Sequence, residues 1–305
     1  MAGLPSAVMW HYVRSADALP RTGYHGVTPE TFEAQLDALC ERMTPVGWPA
    51  VLAGLDGKAP LPRDAMLLTF DDGLVDHHRV VLPALSARGL SGVFFVLSRR
   101  PGDSLTVGHA LHVLLGIWSP ERVRAEVADR LTPADRDRYR AAERELEAAT
   151  PEDPDDVWKR PLQRELAPAA GPIVRGLVDA AIGPEIDVAD SLHLSPDQLR
   201  DLVDAGMTLG GHGRTHPWLD ALDEEARRDE IAASAALLIR YGPGPWPFAH
   251  PYGAAPPSAQ SLLGDAGFAA AFTTNAAERS DRFHIGRVHG DDPGWLGSFA
   301  RARPA

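Results

Sequence analysis

The chain holds a single cysteine, Cys40, so no internal disulfide can form and no paired-cysteine zinc site can exist. Any resident metal must be held by histidine and carboxylate side chains. An excess of positive charge is also missing. The 30 Lys+Arg stand against 42 Asp+Glu, a formal charge of −12, which argues against nucleic acid or an anionic membrane surface as the partner. No stretch approaches the roughly 18 consecutive apolar residues of a transmembrane helix. The N-terminus has no basic segment, and its short apolar run leads straight into His11-Tyr12-Val13-Arg14. No signal peptide is therefore expected, and the cytoplasm is the expected compartment. No repeat of fixed period is present.

Hydrophobic residues make up 44% and charged residues 24%, the balance of a globular chain able to bury a sizeable core. Ala7 to Val13 reads as a buried strand. Thr28 followed by Pro29 and Glu30 opens a helix whose apolar positions Phe32, Leu36 and Leu39 share one face. Ala65 to Phe70 is a continuous apolar strand ending in Asp71-Asp72-Gly73, Val80 to Arg88 a helix closed by Gly89, and Gly92 to Leu97 another buried strand. Apolar runs alternating with helices predict a parallel sheet covered by helices, with chemistry at the carboxyl ends of its strands.

From Arg99 to about Ala189 no buried strand is evident. The charge-rich segment there and the turn-rich Pro151 to Asp156 predict a helical insertion with solvated faces. Alternation resumes at Ser195-Pro196-Asp197-Gln198, a complete helix start, with Leu199, Leu202 and Val203 as its apolar stripe. A strand over Met207 to Gly211, helices from Asp223 to Tyr241 and up to Asp265, and a strand over Phe268 to Thr273 follow. The expected division is 1–98 and 191–305 for the sheet-forming unit and 99–190 for the insertion.

Two groups of residues stand at predicted strand ends. Asp71 and Asp72 place adjacent carboxylates after an apolar strand, where repulsion and desolvation call for a compensating cation. His212 and His216 lie in a Gly- and Pro-flanked loop that can turn two imidazoles toward one ion. With one Asp they make three protein ligands and leave positions open, the arrangement of a catalytic metal.

Thr69-Phe70-Asp71-Asp72-Gly73, His212-Gly213-Arg214-Thr215-His216-Pro217 and Phe248-Ala249-His250-Pro251-Tyr252-Gly253, in that order, resemble the polysaccharide deacetylases with the NodB homology domain, carbohydrate esterase family 4. Val8 to Val13, Ser195 to Leu222 and Gly267 to Thr274 are also similar, whereas the insertion lies outside the common core. The resemblance implies a distorted (β/α) barrel, usually of seven strands. It also implies one divalent ion held by Asp72, His212 and His216, usually zinc, with cobalt or nickel as substitutes. Asp71 would be the base that activates the attacking water, and the backbone N–H of Tyr252 would stabilise the oxyanion. A protonated imidazole would return a proton to the leaving amine.

Two departures stand out. Many members carry Arg where this chain has Ala249, and that Arg steadies the catalytic Asp, so Asp71 needs another partner. The terminal Leu-x-His motif is not present as written, because Arg287 and Arg282 stand two residues before the candidates His289 and His284. His289 closes a strand-like segment from Ile285 and is the preferred acid, with His284, His250 and His11 as alternatives. Trp218, Tyr252 and Trp295, and Pro251 in the third motif, are candidates to wall the substrate pocket.

The expected activity is metal-dependent hydrolysis of the N-acetyl group of an amino sugar. The expected substrate is a small cytoplasmic sugar or glycoconjugate precursor, with the insertion acting as a lid; neither nucleic acid nor membrane is an expected partner. Hydrolysis of another linear or cyclic amide, such as a ureide, and an inactive glycan-binding barrel are the competing readings.

Overall fold

The computed structural model describes residues 4–15, 17–18, 22, 26–149, 157–278, 280–292 and 294–295. The predicted turn at 151–156 lies outside them. Eight strands run in order round one parallel, nearly closed sheet, with the two-residue strand Thr44–Pro45 pairing beside the second of them: β1 (Ser6–Trp10), β2 (Ala65–Phe70), β3 (Val93–Val96), β4 (Thr208–Gly211), β5 (Trp246–Ala249), β6 (Phe268–Thr273), β7 (Ile285–Gly286) and β8 (Val288–His289). Their order is β7-β6-β5-β4-β3-β2-β1-β8. β7 pairs with β6 and β8 with β1, so the segment 285–289 bridges the two ends of the sheet. The result is a distorted (β/α) barrel. It has eight strands rather than the expected seven, because the closing segment is interrupted at Arg287 and contributes two short strands instead of one.

Side chains alternate along the strands and divide the core in two. Leu67, Val93, Phe95, Ala249, Phe272 and Ile285 meet in one cluster inside the barrel, joined by Trp48 and Val51. Met66, Leu68, Phe70, Phe94 and Phe248 point outward into a second cluster. Its other side is formed by the apolar stripes of the flanking helices, among them α1 (Pro29–Cys40), with Phe32, Leu36 and Leu39 buried. The predicted Ala7–Val13 strand is broken at His11 into β1 and a two-residue strand, Tyr12–Val13, which pairs away from the barrel with Gly26–Val27. The helix predicted to begin at Val80 is entered earlier, through a π-helical turn at His77–Val81 that leads into Leu82–Ala87.

Between β3 and β4 the elements among the described residues are helices. α2 (Val107–Leu115), α3 (Pro120–Arg130), α4 (Pro133–Ala149), α5 (Arg160–Gln163), α6 (Ala167–Ala181) and α7 (Glu185–Leu192) pack around a third cluster that includes Leu111, Leu114, Val123, Trp158, Leu162 and Val174. The insertion ends by docking on the loop after β2: Leu194 N–H donates to Gly73 O at 2.8 Å, and His193 pairs with Leu74 as an isolated β-bridge. The next helix, Pro196–Asp204, starts with a complete capping box between Ser195 and Gln198. No helix of the described residues is long and apolar enough to cross a membrane.

Candidate metal and catalytic site

The inward side of each strand continues past its carboxyl end. Beyond Leu67, the inward positions of β2 are Thr69 and Asp71; beyond Ala7, the same alternation leads along β1 to His11; and in the closing segment it runs Ile285, Arg287, His289. His11, Asp71, Asp72, His212, His216 and His289 all line one cavity of about 720 Å³ at this end of the barrel. Two adjacent residues, Asp71 and Asp72, reach the same cavity because the backbone reverses between them. Asp72 is left-handed (φ 75°), as is Gly73 (φ 62°), which turns the second carboxylate in rather than out. His216 (φ 55°) and Gly213 (φ 75°) fold the loop after β4 back on itself, so that both of its imidazoles meet.

These turns bring three groups to one point. Asp72 Oδ1 lies 3.3 Å from His212 Nε2 and 3.4 Å from His216 Nε2, and the two imidazole nitrogens are 3.2 Å apart. His212 donates from Nδ1 to the Ala249 carbonyl at 2.8 Å, which leaves the lone pair of Nε2 facing the centre. Asp72 Oδ1 is buried and accepts no hydrogen bond. A buried carboxylate oxygen without a donor, facing two imidazole nitrogens, fits a divalent cation. Burial works against ionising Asp72, but the neighbouring His109 and His216, with the hydrogen bond from His109, hold its carboxyl well below the usual range. Burial also pushes His216 down to about 3, so its ring is neutral and able to act as a ligand at neutral pH.

Asp71 is held separately. Arg287 donates from Nη1 to Asp71 Oδ1 at 2.6 Å and from Nη2 to Oδ2 at 2.7 Å, a bidentate pair in which both side chains are buried. The guanidinium is fixed by further donations to Thr273 O (3.1 Å) and Thr69 Oγ1 (3.1 Å) and lies over the ring of Phe95. Burial alone would raise the Asp71 pKa; the charges of Arg287 and then His212 outweigh it and keep the carboxyl below its ordinary value. Arg287 is thus the partner that the Ala249 departure calls for. With His289 as the preferred acid, Arg287 takes the place of the Leu in Leu-x-His, and the two departures in the sequence meet in space.

The candidate acids separate by location. His289 lines the cavity with its side chain 46% exposed, and its Nδ1 lies 3.8 Å from Asp291 Oδ1. Burial and the neighbouring His11 lower its pKa, while Asp291 opposes them. His11 also lines the cavity, with Nε2 3.9 Å from Asp71 Oδ2. His250 lines it too, but burial pushes its pKa down to about 3. His284 is paired with Asp281 at 3.0 Å and is not among the lining residues.

Trp218 and Tyr252 stack at 4.7 Å and 6°, and both form part of the wall. Tyr252 is left-handed (φ 57°) in the turn after β5. Pro251 is buried in that turn beside the His212–His216 loop, and Trp295 is a core residue packed edge-on against Trp10 at 5.8 Å. The insertion adds residues that the motifs did not indicate: His112, Lys159 and Gln163 line the cavity, and His109 donates from Nε2 to Asp72 Oδ2 at 3.2 Å. His109 sits in an apolar helical run that gives no sign of this role.

Residues 162–271 match the family model described as polysaccharide deacetylase. Comparison with curated proteins gives no significant match. Among solved structures, the chain is similar to IcaB from Ammonifex degensii, with 19% identity, TM-score 0.59 and coverage of 100% of this chain and 98% of that one. It is also similar to the Streptococcus pyogenes deacetylase PplD in complex with acetate, with 14% identity, TM-score 0.60 and full coverage of both chains. A third is a de-N-acetylase from Aggregatibacter actinomycetemcomitans, with 15% identity, TM-score 0.59 and coverage of 98% and 99%. At these identities the likeness is one of fold. The resemblance read from the three motifs therefore stands, carried by a polysaccharide deacetylase match over residues 162–271 and by a barrel that solved deacetylases share.

Proposed function

We propose that the chain is a hydrolase that removes the acetyl group from the nitrogen of an amino sugar or sugar-containing precursor, with one divalent cation, zinc by preference, held by Asp72, His212 and His216. The support is the convergence of an undonated Asp72 oxygen and two imidazole nitrogens on one point, beside a second carboxylate anchored independently by Arg287. When bound, such an ion polarises a carbonyl oxygen and lowers the pKa of a water.

The chain's own residues do the rest. Asp71, kept ionised by Arg287, is the base that accepts a proton from the attacking water. The backbone N–H of Tyr252 donates to the carbonyl oxygen as negative charge develops there. His289 delivers a proton to the leaving amine, and Asp291 beside it favours the protonated ring. The stacked Trp218 and Tyr252 offer a flat wall to a sugar face. Lys159 and Gln163 bring the insertion into the cavity wall, which supports its role as a cover over a small substrate such as a cytoplasmic sugar nucleotide.

The test pairs metal content with acetate release from N-acetylated sugar nucleotides, monosaccharides and oligosaccharides. Wild type is expected to hold about one equivalent of zinc. Asp72→Ala should lose it, and Asp71→Asn should keep it while releasing no acetate. Zinc without acetate from any sugar would overturn the deacetylase reading in favour of another amide or a binding role. Absence of zinc would overturn the metal site, and preference for long oligosaccharides would overturn the small substrate.

A further inference from the structure

We infer that His109 is a positioning residue for the metal ligand Asp72, so that the helical insertion is a working part of the metal centre as well as a cover over it. This rests on the reading of Asp72, His212 and His216 as a cation site.

Asp72 has two oxygens with different surroundings. Oδ1 faces the two imidazoles, and Oδ2 accepts from His109 Nε2 at 3.2 Å, with both side chains buried. A carboxylate can only accept, so His109 must carry its hydrogen on Nε2. The far side of the ring is held as well, with Nδ1 3.0 Å from Thr106 Oγ1 and 3.2 Å from His193 Nε2. Thr106 Oγ1 also accepts the His109 backbone N–H at 3.1 Å as the N-cap of α2. His193 packs edge-on against the ring, with centroids 4.8 Å apart and planes at 72°, and is itself fixed by donating from Nδ1 to Ala189 O at 2.9 Å.

His109 stands at the start of the insertion and His193 at its end, and the end also docks on Gly73 and Leu74. The loop that carries Asp72 is therefore gripped from both ends of the inserted segment. A left-handed Asp is a conformation a side-chain-bearing residue keeps only when its surroundings hold it. Fixing Oδ2 also fixes the rotation of the carboxyl group, and so the direction in which Oδ1 is presented. Loss of a hydrogen-bonding partner behind a metal ligand typically weakens metal binding by about 10- to 100-fold.

The experiment measures zinc affinity of the full chain by competition with a chromophoric chelator, with thermal unfolding of the zinc-free protein as a control. His109→Ala is expected to weaken zinc binding by about 10- to 100-fold. His109→Gln, whose amide N–H can replace Nε2–H, is expected to stay within a few-fold of wild type. If His109→Ala fails to fold, His109→Asn, which keeps an amide but falls short of Asp72, carries the same expected loss. Unchanged affinity in His109→Ala or His109→Asn overturns the inference, as does a His109→Gln protein that folds yet binds zinc as weakly as the truncated variant. Wild type that binds no zinc is a separate result, and it overturns the metal site itself.

Discussion

Arg287 meets Asp71 with both terminal nitrogens in a pair that is almost wholly buried, so each is the other's condition for being buried. Arg287→Ala should cost about 3 to 5 kcal/mol in urea unfolding, the usual penalty for stranding a buried charge. It should also raise the Asp71 pKa, because burial is then opposed only by the neighbouring His212 and His11, and move the acid limb of the kcat/KM profile toward neutral pH. Arg287→Lys keeps a charge but loses the fork, and should recover part of the stability. An unmoved acid limb in Arg287→Ala would show that Asp71 is not the base. The sequence made Asp71, Asp72, His212 and His216 legible because each lies in a short contiguous motif. Arg287 and His109 were not legible as site residues, because their partners lie 216 and 37 positions away and nothing local marks the pairing.

The barrel strands were legible at the scale of the element wherever an apolar run was long enough to be buried on both sides, as in Ala65–Phe70 and Phe268–Thr273. Where Ala7–Val13 and Ile285–His289 read as single strands, the breaks stayed hidden, because a polar residue, His11 or Arg287, interrupts each one. Glycines in β4 mark a different constraint. A Cβ on Gly210 would stand 2.5 Å from Phe95 Cδ1 and 2.8 Å from the Pro247 carbonyl, so the strand before His212 can pack here only without a side chain. Gly210→Ala should destabilise by about 1 to 3 kcal/mol in urea unfolding. Because the displaced backbone leads into the metal loop, zinc affinity should fall with it. Wild-type stability in this variant would mean that the barrel wall yields more readily than its packing implies.

Buried neutral histidines set the acid tolerance of the molecule as a whole. Burial chiefly holds His77 down to about 4 and His250 to about 3, and His112 and His193 are lowered in the same way. In the unfolded chain these rings take up protons near pH 6.5, whereas in the native state they resist. Their contribution to stability is complete above about pH 6.5 and shrinks as pH falls toward 4, by about 1.4 kcal/mol per pH unit for each ring. Asp71 and Asp72, with lowered values, add no slope until more acid conditions. The urea midpoint of the zinc-free protein should therefore fall between pH 7 and pH 5, and His250→Asn should flatten the decline. A midpoint constant over that interval would contradict the assignment.

The segment 285–289 joins the two ends of the sheet, and its middle residue is the one that grips Asp71. Under the proposed mechanism, shutting the ring and arming the base are consequently one event. A chain that had assembled every strand but the last would hold its cation ligands in place and still be chemically silent. During refolding, hydrolysis would return only with the final piece of backbone, so turnover itself would time the moment at which the ring shuts.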